Sequence, residues 1–255
     1  MNKISPELTI DMTAIPLRPQ IADAPASERN ILRINPSGTA PLDIDNMARL
    51  LRAVSRACPD RGSRIVQVIS AEHGEGVSSV ARALAYTATV IDGAAALVCD
   101  ASANRETLRR FGRSGDMPSL SDMIGRPGDL ASAISPVPSL NYAVCALSGT
   151  AVNTHQDAKT DRLGKVLDLL RGAFDWIIID TAPISDGSFG PTLSRLCDGT
   201  ILVAQAGQTR RSAVADAQRT LDLYGGRVLG VVVNKVNRDT ASGKRPARWW
   251  SRKSA

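Results

Sequence analysis

The chain has 255 residues, a formal net charge of +6, 43% apolar residues and only 4% aromatic ones. This length can bury a large core, which Ala, Val, Ile and Leu must fill, as in parallel strands covered by helices. No apolar run approaches the roughly 20 residues that a membrane span needs, and the first residues lack a signal peptide's apolar core. These features argue against a membrane-spanning or secreted chain and predict a cytoplasmic one. We expect its cysteines to be reduced and mostly buried; they are Cys58, Cys99, Cys145 and Cys197.

The predicted elements follow a proline-bearing stretch, residues 1–41, which we predict to be a flexible, disordered leader. A helix is predicted at 43–57, where apolar residues share one face. Strand and helix patterns then alternate up to residue 234. The strands are predicted at 64–70, 95–100, 176–180, 199–204 and 227–234, with weaker candidates at 141–146 and 181–184. The helices are predicted at 78–90, 106–111, 119–124, 130–134, 160–172, 190–195 and 212–223.

This alternation is typical of an α/β fold. Strands joined by right-handed helical crossovers form a doubly wound, mostly parallel sheet, here of about seven strands with helices on both faces. Ligands of such folds bind beyond the carboxyl ends of the strands. The loop that follows the first strand must lie at that edge.

That loop carries glycines in a characteristic layout: residues 70–85 read SAEHGEGVSSVARALA. Gly74 and Gly76 allow the turns that aim successive N–H groups at an anion, and the following helix adds its dipole. Ser78 stands where a phosphate-binding loop places its Mg²⁺-binding hydroxyl. The predicted nucleotide-binding residues are Gly74, Glu75, Gly76, Val77, Ser78 and Ser79. The alternative is a glycine turn in which Ser78 and Ser79 only cap the helix.

Two aspartates end apolar strands and would approach a metal ion bound at the loop. Asp100 ends the segment AALVCD, and Asp180 ends the segment FDWIIID. An aspartate at the second position holds Mg²⁺ in phosphoryl-transfer sites. We therefore predict Asp100 and Asp180 as catalytic residues and, together with Ser78, as Mg²⁺ ligands. For Asp100 the alternative is a carboxylate that caps the next turn.

These stretches together resemble the cytoplasmic ATPase and tyrosine-autokinase family of bacterial capsule and exopolysaccharide synthesis. The resemblance spans residues 46–237 and is carried by RLLR, by the glycine loop, by FGRSGDMPSLSDMIG, by FDWIIIDTAPISD and by the last two strands. It implies a P-loop NTPase-like domain over residues 42–237 that binds ATP or ADP with Mg²⁺. It also implies a homo-oligomer that meets the inner membrane through a chain-length-determining polysaccharide co-polymerase.

The sequence departs from the family pattern at three places. Val77 replaces the loop lysine, and Asp100 is followed by Ser102 and Asn104 where the family motif reads D-x-D-x-R. The family's autokinases carry a C-terminal tyrosine cluster, but residues 238–255 contain no tyrosine. The tyrosines of the sequence are Tyr86, Tyr142 and Tyr224.

The lost lysine predicts a protein that binds nucleotide but scarcely reacts with it. Its charge-assisted hydrogen bond contributes about 1.5–3 kcal/mol to binding, whereas removing one oriented donor slows turnover about a hundred- to thousandfold. Arg82, one turn beyond Ser78, is a poor substitute, and His73 is more simply solvated. The resulting hypothesis is a pseudoenzyme that regulates the co-polymerase. The alternatives are an active ATPase or tyrosine kinase completed by a partner's cation, and a partition-type, DNA-binding ATPase relative.

A basic tail, residues 238–255, carries six basic residues against one acid and therefore five of the six excess charges. A solvated end is the simplest interpretation. Trp249 and Trp250 among these cations also fit the edge of an anionic membrane, where indoles lie at the interface. Nucleic-acid binding, with bases stacked on tryptophan, is the less favoured third interpretation.

Overall fold

The computed structural model describes residues 44–58, 62–102, 106–112, 117–123, 127–137, 140–147, 156–187 and 189–236. The predicted leader and basic tail lie outside these residues. The helices are α1 Ile44–Ala57, α2 Val77–Asp92, α3 Glu106–Arg110, α4 Gln156–Leu170, α5 Phe189–Ser194 and α6 Arg211–Leu223. The strands are β1 Arg64–Ser70, β2 Ala96–Asp100, β3 Ile134–Pro136, β4 Tyr142–Ala146, β5 Trp176–Asp180, β6 Gly199–Gln205 and β7 Val228–Asn234. Two 3-10 helices lie at Pro127–Ala133 and Ile184–Asp186.

One seven-stranded sheet forms the centre of the domain, in the order β3-β4-β2-β5-β1-β6-β7. Its neighbouring strands are parallel except for β3, which runs antiparallel to β4 at one edge. The α/β prediction of a doubly wound, mostly parallel sheet is therefore confirmed. Because chain order and sheet order differ, segments far apart in sequence share the carboxyl edge of the sheet.

The core lies on both faces of the sheet, because successive side chains of a strand point to opposite sides. In β1, Val66 and Val68 face a cluster formed with α1 and α2. Ile65 and Ile69 face the opposite side, where α4, α5 and α6 pack. Burial on both faces explains why these strands read as continuous apolar runs. As predicted, most of the cysteines are buried, with Cys197 intermediate.

A charged clamp closes the amino ends of the strands, opposite the carboxyl edge. Arg171, just after α4, donates from Nη1 and Nη2 to the two carboxylate oxygens of Asp198 at 2.8 and 2.9 Å. Asp198 also accepts from the backbone N–H of Ile65 at 2.8 Å. Both charged side chains are 15% exposed. The bidentate geometry stabilises the packing of α4 against β1 and β6.

Two predicted helices are wrong or partly wrong. In the segment 119–124, Ser119 forms an isolated parallel bridge with Ala146 and the following described residues form turns. The carboxylate of Asp122 accepts from the N–H and the hydroxyl of Ser119, which stabilises the turn instead of a helix. The predicted helix at 130–134 is a 3-10 helix, Pro127–Ala133, after which the chain extends into β3.

The weak strand prediction at 181–184 is also wrong. Thr181 uses both its backbone N–H and its hydroxyl to bind the carbonyl oxygen of Val68. The chain leaves the sheet there and forms the 3-10 helix Ile184–Asp186 after Pro183. Proline has no N–H to donate to a sheet ladder and fixes φ. The antiparallel β3 is the seventh strand instead.

Candidate active site at the carboxyl edge of the sheet

Three neighbouring strands bring the predicted site residues together. β5 lies between β1 and β2, and the Cα atoms of Asp100 and Asp180 are register partners across β2 and β5. The glycine loop leaves the end of β1, directly beside Asp180. Ser78 Oγ donates to Asp180 Oδ1 at 3.1 Å. The loop and the two carboxylates therefore form one cluster.

The loop backbone has the conformation that its glycines predict. Gly74 and Gly76 adopt positive φ angles of 78° and 95°, in or near the left-handed region that favours glycine. Gly76 precedes the first residue of α2, and no side chain caps this end of the helix. The hydroxyl of Ser78 binds Asp180 instead. The start of α2 is thus arranged like an anion-binding helix terminus rather than a serine-capped turn.

The side chain of Val77 does not present an apolar surface to the loop. It is only 8% exposed and belongs to the hydrophobic cluster of α1, α2 and the central strands. The first turn of α2 therefore presents hydrocarbon to the core at the position where the loop lysine is expected. The side chain of Val77 adds neither a charge nor a hydrogen-bond donor to the loop.

Asp180 is the centre of a buried hydrogen-bond network. Its Oδ2 accepts from Thr107 Oγ1 at 2.7 Å, and Thr107 Oγ1 in turn accepts from Arg82 Nη1 at 3.0 Å. Burial and the nearby charge of Asp100 raise the pKa of Asp180 to about 7, although the bonds from Thr107 and Ser78 and the charge of Arg82 act to lower it. This pKa reflects the burial of one carboxylate beside another.

The contacts of Asp100 are those of a carboxylate that caps the next turn, which was the alternative to metal binding. Its Oδ1 accepts from the N–H and the hydroxyl of Ser102 at 2.9 and 2.5 Å. Its Oδ2 accepts from the backbone N–H groups of Thr107 and Leu108, in the first turn of α3, at 2.8 and 3.3 Å. Asp100 is also 1% exposed. Its place next to Asp180 fits a metal-facing role, and that role stays a prediction.

The side chains of Glu75 and His73 in the loop are held by contacts with other residues. Glu75 is 3% exposed, and its carboxylate accepts from the N–H of Glu72 and from the hydroxyl of Thr209, just after β6. His73 is paired with Asp186 of the 3-10 helix at 2.5 Å. For Glu75, the backbone rather than the carboxylate is therefore available to a phosphate.

Two residues at the carboxyl end of the last strand also contact the loop, and the sequence alone did not indicate them. Asn234 Nδ2 donates to the carbonyl of Glu75 at 2.9 Å, and Lys235 Nζ donates to the carbonyl of Gly74 at 2.6 Å. The available signal was the pair Asn-Lys at the carboxyl end of a strand. A strand end on its own does not reveal which loop it will contact.

The residues of this edge fit a nucleotide with Mg²⁺. Mg²⁺ is bound through one or two protein oxygens together with substrate phosphates, and Ser78 Oγ and Asp180 Oδ1 already lie next to each other. The described residues contain no larger cluster of acidic, histidine or cysteine ligands. If Mg²⁺ is bound here, waters and phosphate oxygens would complete its coordination.

No family model matches the chain. It is 28% identical over 181 residues to the tyrosine-protein kinase CpsD of Streptococcus agalactiae serotype III, covering 71% of this chain and 78% of CpsD. The chain and the kinase domain of the Escherichia coli tyrosine kinase Etk have a TM-score of 0.68 and 20% identity, covering 93% of this chain and 88% of that one. These relatives support the bacterial tyrosine-autokinase and exopolysaccharide family for this chain.

Other comparisons agree with this family and its fold. The succinoglycan biosynthesis transport protein ExoP of Rhizobium meliloti is 23% identical over 178 residues, 69% of this chain and 22% of ExoP. An ATP complex of Cyanothece McdA shares the fold, with a TM-score of 0.54 at 20% identity over 68% of this chain and 70% of McdA. None of the described helices is long and apolar enough to cross a membrane.

Substitutions of two glycines, one at each end of α2, test the loop. Alanine at Gly76 or at Gly93, both at positive φ, costs about 1 kcal/mol of backbone strain. A Cβ at Gly76 would also overlap the side-chain amide of Asn234, whereas nothing lies within 4 Å at Gly93. We expect Gly76→Ala, but not Gly93→Ala, to weaken ATP binding in calorimetry. Equal ATP affinities in the two variants would show that the close approach of Gly76 to Asn234 does not matter for ATP binding.

Proposed function

We propose that this chain is a regulatory nucleotide-binding protein of exopolysaccharide or capsule synthesis, with weak or absent ATP hydrolysis and tyrosine-kinase activity. ATP or ADP binds at the loop formed by residues 74–79, and Ser78 and Asp180 hold Mg²⁺. The ion neutralises the phosphate oxygens when it is bound. The resemblance to the family supports a cytoplasmic homo-oligomer that acts with an inner-membrane co-polymerase.

The observation that carries this proposal is the contrast between Val77 and its neighbours. The positive φ angles of the glycines and the contact of Ser78 with Asp180 support a nucleotide-binding loop. Val77, in the same turn, is buried in the core and supplies no cation. Backbone amides, helix dipole and Mg²⁺ bind phosphates without that cation. Phosphoryl transfer depends on charge placed at the transferring group, and so it suffers most.

The experiment measures binding and turnover in one preparation of the full chain. Calorimetry with Mg²⁺ should detect ATP and ADP binding, while phosphate release and autophosphorylation stay about a hundredfold or more below an active family kinase assayed in parallel. Asp180→Asn should weaken Mg²⁺-dependent binding. The matched control is Asp175→Asn at the opposite end of β5, where Asp175 accepts from the N–H of Ala95; it should leave binding unchanged.

Three outcomes would overturn the proposal. Fast turnover by the isolated chain, abolished by Asp180→Asn, would show a working enzyme. Turnover that rises sharply when the cytoplasmic segment of the co-polymerase is added would show an enzyme completed by a partner's cation. Failure of the chain to bind any nucleotide would exclude both of these and the proposal itself.

A further inference from the structure

Lys235 brings a positive charge onto the loop from the last strand of the sheet. Its ammonium donates to the carbonyl oxygen of Gly74 at 2.6 Å and to Gln205 Oε1, at the end of β6, at 3.1 Å. Both acceptors are neutral. An ammonium has three donors, so these contacts leave one donor, and the whole charge, for an anion at the loop.

The backbone at Lys235 is held in a conformation that needs support. Its φ angle is 54°, the one positive φ outside glycine among the described residues. This left-handed conformation costs an ordinary residue about 1 kcal/mol or more. Asn234 supports it, since its Oδ1 accepts from the N–H of Lys235 at 2.8 Å while its Nδ2 donates to the carbonyl of Glu75 at 2.9 Å. A strained residue that is fixed by its neighbours points to a functional position.

Two other basic side chains near the loop already have partners. His73 is paired with Asp186. Arg82 is 1% exposed and donates to Thr107, which binds Asp180 below the loop. Within the part of the chain that the structure describes, Lys235 is therefore the charged donor that contacts the loop backbone and remains exposed to solvent.

We propose that Lys235 is a phosphate-binding residue, whose ammonium supplies to a nucleoside di- or triphosphate the charge that Val77 does not provide. This inference rests on the proposed nucleotide binding. Lysine acts here as a flexible point charge. It reaches the loop from the side, at Gly74, rather than from the turn that carries Val77. It therefore increases affinity for the phosphates without restoring the oriented contact that turnover needs.

The test is Lys235→Met in the full chain, with ATP affinity measured by calorimetry at low and at high salt. We expect about tenfold weaker binding at low salt and a smaller loss of affinity on adding salt, because one charge contact is gone. Lys235→Arg should keep most of the affinity. The matched control is Lys165→Met, an exposed lysine on α4, which should change neither quantity. Thermal melting of each variant checks its folding.

The outcomes separate this inference from the proposed function. ATP binding by Lys235→Met that equals the wild type would overturn the inference while leaving nucleotide binding in place. Weaker binding with an unchanged salt dependence would also overturn it, because it would show that Lys235 only supports the shape of the loop. A wild-type chain that does not bind ATP would overturn both.

Discussion

Val77→Lys is expected to raise the rate of ATP hydrolysis by the full chain about a hundredfold. The other parts of the site already stand in place, since Ser78 binds Asp180 and the glycines of the loop have their positive φ angles. The variant adds an oriented positive charge at the position that the family uses for the terminal phosphates. Phosphate release with Mg²⁺ and ATP measures the rate, and calorimetry should show tighter ATP binding as well.

The substitution has a structural cost that must be controlled. Val77 is 8% exposed, so the lysine stem has to pass through the edge of the core to bring its ammonium to the loop. Val90→Lys adds the same charge to the other end of α2, where the side chain is 52% exposed, and should leave the rate unchanged. A folded Val77→Lys variant without faster hydrolysis would show that another missing group limits turnover.

Arg82→Met is expected to lower the free energy of unfolding by about 3 kcal/mol. Arg82 is among the largest fully buried side chains, and its guanidinium meets the network of Thr107 and Asp180. Asp100 lies in register with Asp180 on the next strand. Methionine fills much of the volume of the arginine stem but leaves two buried carboxylates without this cation. Urea denaturation at pH 8 measures the loss.

The double variant Arg82→Met/Asp180→Asn identifies the cause of that loss. Removing both charges should recover most of the stability, because contacting groups in one network are strongly non-additive. The Nε atom of Arg82 has no hydrogen-bond partner among the described residues, so burial of the guanidinium itself carries a cost. If Arg82→Met is as stable as the wild type, the cost of burying the guanidinium equals or exceeds the stabilisation that its charge gives to the buried carboxylates.

Several features of the site are visible in local sequence. Gly74 and Gly76 predict a loop with positive φ angles, and the apolar runs before Asp100 and Asp180 place these carboxylates at strand ends. The loss of the loop lysine is also visible locally, because Val77 stands at the lysine position of a known motif. Such predictions succeed because each depends on a few consecutive residues.

The structure of short segments was predicted less well, because a few consecutive residues can fit more than one local structure. Leu120 and Met123 are buried three residues apart, a spacing that one helical turn and a hydrogen-bonded turn both produce. Asp122 decides for the turn by accepting from Ser119. For Asp100, the sequence left metal binding and capping open, and the contacts to Ser102 and to the first turn of α3 show that capping occurs.

The sequence by itself determined the alternation of strands and helices, the glycine loop and the missing lysine, because periodicity and turn chemistry are local. Only the tertiary structure decided that β5 lies between β1 and β2, that Arg82 binds Thr107 next to Asp180, and that Lys235 reaches Gly74. These contacts join residues as far as 161 positions apart. They arise from strand order and from the packing of both sheet faces, which no short stretch of sequence specifies.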